Sequence, residues 1–318
     1  MITRAVHPSI VERARDALVV VAAALAAQGC LFTQFFSRTA QTWGDAPRAV
    51  PGRLTHPYRT DARLVVSWVG HATALVQLDD KLVLTDPVFT ETVGQVSLRL
   101  VEPGIAPEAL PPLDAVVISH LHFDHLSLGS LELIERKVRW LGLPEGGLTY
   151  LTDFDFPASE VPTWTTHQSR GLRVTAVPVM HGGWRYGLDA AWMKHGATGW
   201  VLDYHGLTVY FGGDTGYDQS KFRAARARLP HIDIALLPIA PIEPRDFMRS
   251  RHMDPAQTLD AYRDLGARWL VPIHFDTFVN SLDEAGAAPR KLQEEMARRG
   301  LGADQVVLLQ IGEQKVFL

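Results

Sequence analysis

Between Ser119 and Leu126 the chain reads Ser-His-Leu-His-Phe-Asp-His-Leu, three imidazoles and one carboxylate within six residues. Both side-chain types ligate divalent cations such as zinc, at about 2.0–2.2 Å. The run follows Ala115–Ile118 (AVVI), a wholly apolar stretch that predicts a buried strand. A strand end delivers alternate residues to one side, so His120 and His122 converge on one point. As the chain turns into a helix, Asp124 and His125 swing toward a second point. Burying an imidazole without a partner is costly, so a run this dense reads as a cation site rather than a set of structural histidines.

More donors are needed, and three more stand just beyond other apolar runs. His181 ends VPVMH, Asp214 sits in YFGGDTG and His274 sits in LVPIHF. Gly212 and Gly213 allow close backbone approach beside Asp214. Each residue alone is more often structural, but the repeated placement puts all three at one edge of the sheets.

The elements that must position these residues are legible as alternating β and helical patterns. Strands are predicted at 64–69, 74–78, 81–84, 115–118, 172–179, 198–204, 207–211, 232–238, 267–273 and 305–310, with tight turns at Asp79-Asp80 and His205-Gly206. Helices are predicted at 126–136, 219–228, 255–265 and 289–299. Pro255 suits a first helical turn and Gly266 a C-terminal cap. Strands then a helix, followed by strands then helices, suit an α+β architecture: an αββα sandwich of two mixed sheets face to face, with helices outside.

Composition narrows the function classes. The 318 residues carry 31 basic and 35 acidic side chains, a net charge of −4, and are 47% hydrophobic. That excludes a disordered chain and, with no basic block, a dedicated nucleic-acid binder. One cysteine excludes a disulfide framework and a cysteine-rich zinc finger. Ala17–Ala27 is an apolar run of 11 behind Arg4, Arg13 and Arg15. It is too short for a bilayer span, which takes about 20 residues, but it fits a signal peptide core. Ala26-Ala27-Gln28-Gly29-Cys30 resembles a bacterial lipoprotein processing site. The expectations are therefore a membrane-associated segment at 1–38, lipidated at Cys30, a linker wrapping the body at 39–63, and a catalytic domain at 64–318. The competing reading is a cytoplasmic protein whose N-terminal helix packs on the body.

The chain resembles the metallo-β-lactamase-fold hydrolases, and within them the branch of the N-acylphosphatidylethanolamine-hydrolysing phospholipase D and its bacterial relatives. The similarity runs from about Leu64 to Phe278. It is carried by Trp68-Val-Gly-His71-Ala-Thr, Leu84-Thr-Asp86-Pro, the His120–His125 run, Phe211-Gly-Gly-Asp214-Thr-Gly-Tyr217, Ile242-Glu-Pro-Arg245 and His252-Met-Asp-Pro255. The resemblance implies two zinc ions, with manganese or iron as alternatives. His120, His122 and His181 would hold one, Asp124, His125 and His274 the other, and Asp214 would bridge them. A hydroxide shared by the two would attack the substrate. Asp86 is expected to orient a loop histidine, and His71 to hydrogen-bond a ligating carboxylate. His252 is expected near the reaction as a non-ligand, joining Asp124 and Asp214 as a catalytic group, while Tyr217 and Arg245 are candidates for an anionic head group. The text after His181, Gly182-Gly183-Trp184-Arg185, departs from the usual pattern and alters the wall beside the metals.

The function so implied is phosphodiester hydrolysis of a phospholipid or other small molecule. The alternatives are a zinc lactonase or amide hydrolase on the same centre, and a non-catalytic, zinc-stabilised membrane-associated scaffold. A membrane surface and a second copy of the chain stand as partners to be tested.

Overall fold

A computed structural model of the chain describes residues 33–34, 37, 45–94, 97–229 and 231–318. The chain divides into two compact units, Met1–Gly44 and Asp45–Leu318. In the first, Thr33, Gln34 and Ser37 are helical; the expected lipidation site at Cys30 lies outside the described residues. Among the described residues no helix is long and apolar enough to cross a membrane.

The strands of the second unit are β1 (Leu64–Gly70), β2 (Thr73–Leu78), β3 (Lys81–Thr85), β4 (Thr92–Val93), β5 (Ser97–Leu98), β6 (Ala115–Val117), β7 (Leu141–Leu143) and β8 (Ala158–Glu160), followed by β9 (Thr166–Ser169), β10 (Leu172–Val177), β11 (Gly199–Tyr204), β12 (Leu207–Phe211), β13 (Ile234–Pro238), β14 (Trp269–Ile273) and β15 (Gln314–Val316). The helices are α1 (Leu128–Ile134), α2 (Gln219–Arg228), α3 (Arg245–Met248), α4 (Pro255–Leu265) and α5 (Ala287–Arg299). One sheet has the order β15-β1-β2-β3-β6-β7-β8, the other β14-β13-β12-β11-β10-β9, and β4 pairs only with β5. Both large sheets are mixed. β1, β2 and β3 are antiparallel and β3, β6, β7 and β8 parallel, whereas β9 to β12 are antiparallel and β12, β13 and β14 parallel.

Strand periodicity explains why the first sheet is buried on both faces. Val83, Ala115 and Val117 point into a core shared with Trp200, Leu202 and Val209 of the second sheet. Their neighbours Leu82, Leu84, Val116 and Ile118 point the other way, onto Leu131 and Ile134 of α1. On the far side, Phe222 of α2, Leu259 of α4 and Leu292 of α5 join the core of the second sheet. This is the expected αββα sandwich. The segment from Asp45 bridges the chain that follows β5, at Arg48–Val101 and Leu54–Ile105. Buried Gln77 anchors it by donating to the carbonyls of Arg59 and Ala62.

Two local expectations need correction. Gln305–Gln310 is not a strand. Val306 and Leu309 are buried, but the run meets β14 only at a single bridge, Leu270–Val306. Its apolar residues are satisfied by burial without a ladder, and the closing strand is β15, paired with β1. The helix expected over 126–136 is α1 followed by a 3-10 turn at Glu135–Lys137.

Candidate metal centre

Each of the seven expected ligands, with His71 and Asp86, sits at a strand exit or in the loop behind it, whereas Arg245 opens α3 and His252 lies between α3 and α4. Trp200 Nε1 donates to Ile118 O at 3.0 Å, fixing the chain as it leaves β6. The next residue, Ser119, is held through its N–H and Oγ by both Asp86 oxygens, each at 2.6 Å. The His run is therefore rooted before it begins. The sequence did not single out Ser119; its position directly ahead of the run was the available signal.

Four overlapping sets of side chains each bring one ligand atom per residue within 4.8 Å of one another. They are His120, His122 and His181; His71, Asp124, His125 and His274; His120, His125 and Asp214; and His181, Asp214 and His252. All seven expected ligands are thus brought together. Asp214 stands between the sets: Oδ1 lies 3.0 Å from His274 Nε2, and Oδ2 lies 3.3 Å from His125 Nε2 and 3.9 Å from His120 Nε2.

The rings are aimed from behind. His125 Nδ1 donates to Asp86 Oδ2 at 2.6 Å, His181 Nδ1 to Arg251 O at 2.9 Å and His274 Nδ1 to Ala240 O at 3.1 Å, leaving each Nε2 for the cluster. A carboxylate or carbonyl behind a histidine is how proteins fix the tautomer of a metal ligand. His122 is turned the other way, with Nδ1 2.8 Å from His120 Nε2 and 3.5 Å from His181 Nε2. His71 Nε2 donates to Asp124 Oδ2 at 3.0 Å. Asp86 thus holds the His125 ring, and His71 the Asp124 carboxylate.

Whether a cation fits is tested by unmet hydrogen-bonding capacity. Nine buried side-chain polar atoms among the described residues lack a hydrogen-bond partner, and five belong to this cluster: His122 Nε2, His125 Nε2, Asp214 Oδ1, His252 Nδ1 and His274 Nε2. Orphaned buried polar atoms cost about 1–3 kcal/mol each, so their concentration here marks a place built for something that pairs with them. The donor set, imidazole and carboxylate without sulfur, suits zinc and other borderline divalent cations.

Electrostatics prepares the same chemistry. Burial pushes the His122 imidazole down to about 4 and that of His71 to about 3, and lowers His120 and His181 as well. These rings are neutral at pH 7, the form that ligates a cation. Burial works against charge on Asp124 and Asp214, but His125 beside the first, and His274 and His125 beside the second, hold both carboxyls well below the usual range.

The backbone carries strain at this edge. His71, Asp86 and His274 have φ of 55°, 33° and 66°, left-handed values that cost a non-glycine residue of order 1 kcal/mol each. Gly213 also lies there, at φ 55°, and a Cβ on it would stand 2.2 Å from Ser119 Cβ. Gly213→Ala is therefore expected to lower stability by about 1–3 kcal/mol; an unchanged melting temperature would show that Ser119 moves aside freely.

Two expected head-group residues are engaged elsewhere. Tyr217 donates its hydroxyl to Asp264 Oδ2 at 2.6 Å. Arg245 pairs with Asp254 at 3.2 Å, donates to His252 O at 3.0 Å and bonds Gln257 Oε1. Arg245 instead supports the backbone of His252. His252 itself reaches the cluster, its Nδ1 3.6 Å from Asp214 Oδ2. Within the departing segment after His181, the Trp184 ring meets His122 edge-on at 4.5 Å.

Comparison with known proteins agrees with this geometry. Residues 81–275, which carry every expected ligand, match the family described as "Beta-lactamase superfamily domain". The chain is 29% identical over 280 residues to the N-acyl-phosphatidylethanolamine-hydrolyzing phospholipase D 1 of Caenorhabditis elegans, covering 80% of this chain and 76% of that protein. It is 31% identical over 218 residues to a UPF0173 metal-dependent hydrolase of Methanoregula boonei, covering 67% and 82%. Among solved structures, the metallo hydrolase Igni18 of Ignicoccus hospitalis shares the fold, with a TM-score of 0.60 and 22% identity over 80% of this chain and 98% of that one. Fold, converging donors and sequence similarity lead to one family: this chain is a metal-dependent hydrolase belonging to the metallo-β-lactamase superfamily.

Proposed function

We propose that the chain is a dinuclear zinc phosphodiesterase acting on a phospholipid, of phospholipase D type. His120, His122 and His181 would hold one cation, Asp124, His125 and His274 the other, with Asp214 shared. The observation that carries this reading is the set of orphaned inward atoms on histidines and an aspartate drawn from separate strand ends. When bound, a pair of such cations supplies a water acidified to a pKa of about 7 and neutralises charge on phosphoryl oxygens.

The chain's own residues have separate tasks. Asp86 fixes the His125 ring and His71 the Asp124 carboxylate. The Ala240 and Arg251 carbonyls fix His274 and His181. Burial lowers His252 well below its ordinary value, and its unpartnered Nδ1 is free to hydrogen-bond a phosphoryl or leaving oxygen. The substrate class is supported by the similarity to an enzyme named for N-acylphosphatidylethanolamine hydrolysis. It is also supported by apolar surface near the centre. Tyr186, whose ring meets that of Phe123 at 5.6 Å, is 64% exposed, with Leu188 and Trp192 exposed on the same segment.

Zinc-loaded full-length protein should be assayed against N-acylphosphatidylethanolamine, bis(p-nitrophenyl) phosphate and a lactone and amide panel. Turnover confined to the phosphodiesters is the expected result. A strong preference for lactones or amides would replace the reading, and stoichiometric zinc with no turnover would favour a scaffold. His252→Ala is expected to lower kcat by about 10²–10⁴-fold, the range for a positioned acid–base side chain, while zinc content stays at two per chain. Loss of zinc instead would make His252 a ligand.

A further inference from the structure

Arg185 is buried, 5% exposed, and no carboxylate lies within 4.0 Å of its guanidinium among the described residues. A buried charge without a counter-ion is expensive unless its hydrogen bonds do something specific. Here one nitrogen, Nη1, donates to two carbonyls, Leu121 O at 2.9 Å and Leu126 O at 2.8 Å. Those residues bracket the segment that carries His122, Asp124 and His125. The guanidinium also lies over the Phe123 ring, 4.3 Å from its centroid. The arginine is fixed in turn from behind. Asp189 accepts from the backbone N–H groups of Arg185 at 2.7 Å and Tyr186 at 2.8 Å, and Tyr150 donates to Asp189 at 2.5 Å.

The geometry points to Arg185 as a positioning residue, a clamp that holds both ends of the Leu121–Leu126 loop. Lying four residues after His181, it also ties the segment bearing that ligand to the loop bearing three others. Without it, two carbonyls lose their donor and the loop can open between its ends, so the donors of His122, Asp124 and His125 cease to be preset. Lysine is a poor substitute, because a point ammonium on a flexible stem lacks the planar face that lies over Phe123. This inference rests on the dinuclear centre proposed above, and its test separates the two.

The test compares the full-length protein with R185Q and R185K. Zinc affinity per folded molecule is read by competition with a chromophoric chelator, and ligand geometry by the visible spectrum of the cobalt-substituted protein. Melting of the metal-free form is followed alongside. R185Q is expected to lose about 10–100-fold in zinc affinity, the range for removing an outer partner of a metal site, and to shift the cobalt bands; R185K should fall between. A folded R185Q that binds zinc within two-fold of the unchanged protein, with the same cobalt spectrum, overturns the clamp, as does a loss confined to metal-free melting. If R185Q does not fold, R185K carries the test, and unchanged affinity and spectrum there overturn it equally. Failure of the unchanged protein to take up zinc would instead sink the metal centre itself.

Discussion

Asp214→Asn is expected to lower metal-dependent hydrolysis by more than about 10³-fold, beyond the 10–100-fold typical of losing an outer partner of a metal site. Among the described residues, Asp214 is the only carboxylate lying within 4.0 Å of histidines from both halves of the cluster, Oδ1 near His274 and Oδ2 near both His125 and His120. It is 3% exposed, so water cannot replace it cheaply. The amide keeps the shape but loses the charge, and turns one face from acceptor to donor. With cations bound, that donor face would meet positive charge and could not ligate. Zinc per chain should drop from two toward one or none, measured by elemental analysis after gel filtration. A variant retaining two zincs and most of its activity would show that Asp214 is not shared between the sites. Asp124→Asn should be milder on the half holding His120, His122 and His181, because Asp124 belongs only to the other set.

What the sequence made legible follows from which features leave a local trace. Alternation and caps are local, so α2 and α4 are found at their read boundaries. Asp218 accepts from Ser220 N, Asp254 from Gln257 N, and Gly266 closes α4 at φ 64°. The ligands were legible because each stands at the exit of an apolar strand, and a strand exit is visible in the text. β7, β8 and β9 were not foreseen, being three or four residues long and, in β8 and β9, largely polar at the surface. Their existence depends on neighbouring strands, not on their own pattern. Gln305–Gln310 failed in the opposite direction, since its apolar pattern records burial and not pairing.

The site shows the same division. Tyr217 and Arg245 were read from side-chain type, yet orientation is a tertiary property, and both turn to partners on or beside α4. Arg185 acts on backbone carbonyls, which carry no side-chain identity and so leave no complementary residue to find in the text. His71, by contrast, is expected as a supporting group from the resemblance of its Gly-His-Ala-Thr turn, and the turn after β1 brings its ring against His274, centroids 3.9 Å apart, as well as to Asp124. Candidate ligands are thus more readable than a residue such as Arg185, which acts through backbone carbonyls.

Asp86 is where aiming and folding become one problem. It is fully buried, at φ 33°, and its carboxylate accepts from Ser119 N, Ser119 Oγ and His125 Nδ1. Three donors from the root and the end of the His run therefore depend on one side chain in the turn after β3. Asp86→Ala leaves Ser119 N unpaired inside the protein, and leaves Ser119 Oγ and His125 Nδ1 only Ser119's contact with His120 Nδ1 at 3.0 Å and their mutual contact at 3.4 Å. Breaking a buried charged pair by removing one partner costs about 3–5 kcal/mol. For a domain of this size that corresponds to a fall in melting temperature of order 10 °C. His125 then loses one of the carboxylates that, against the effect of burial, hold its imidazole well above the ordinary value. Measuring the metal-free protein separates the two roles: the fold's dependence on Asp86 appears there, and the site's dependence appears as a further loss of zinc affinity in whatever remains folded. Asp86→Asn should recover little, because the amide nitrogen is itself a donor set among three donors. An Asp86→Ala protein melting within 2 °C of the unchanged metal-free form would mean that the Ser119 turn finds other partners, and that the His run is rooted by β6 alone.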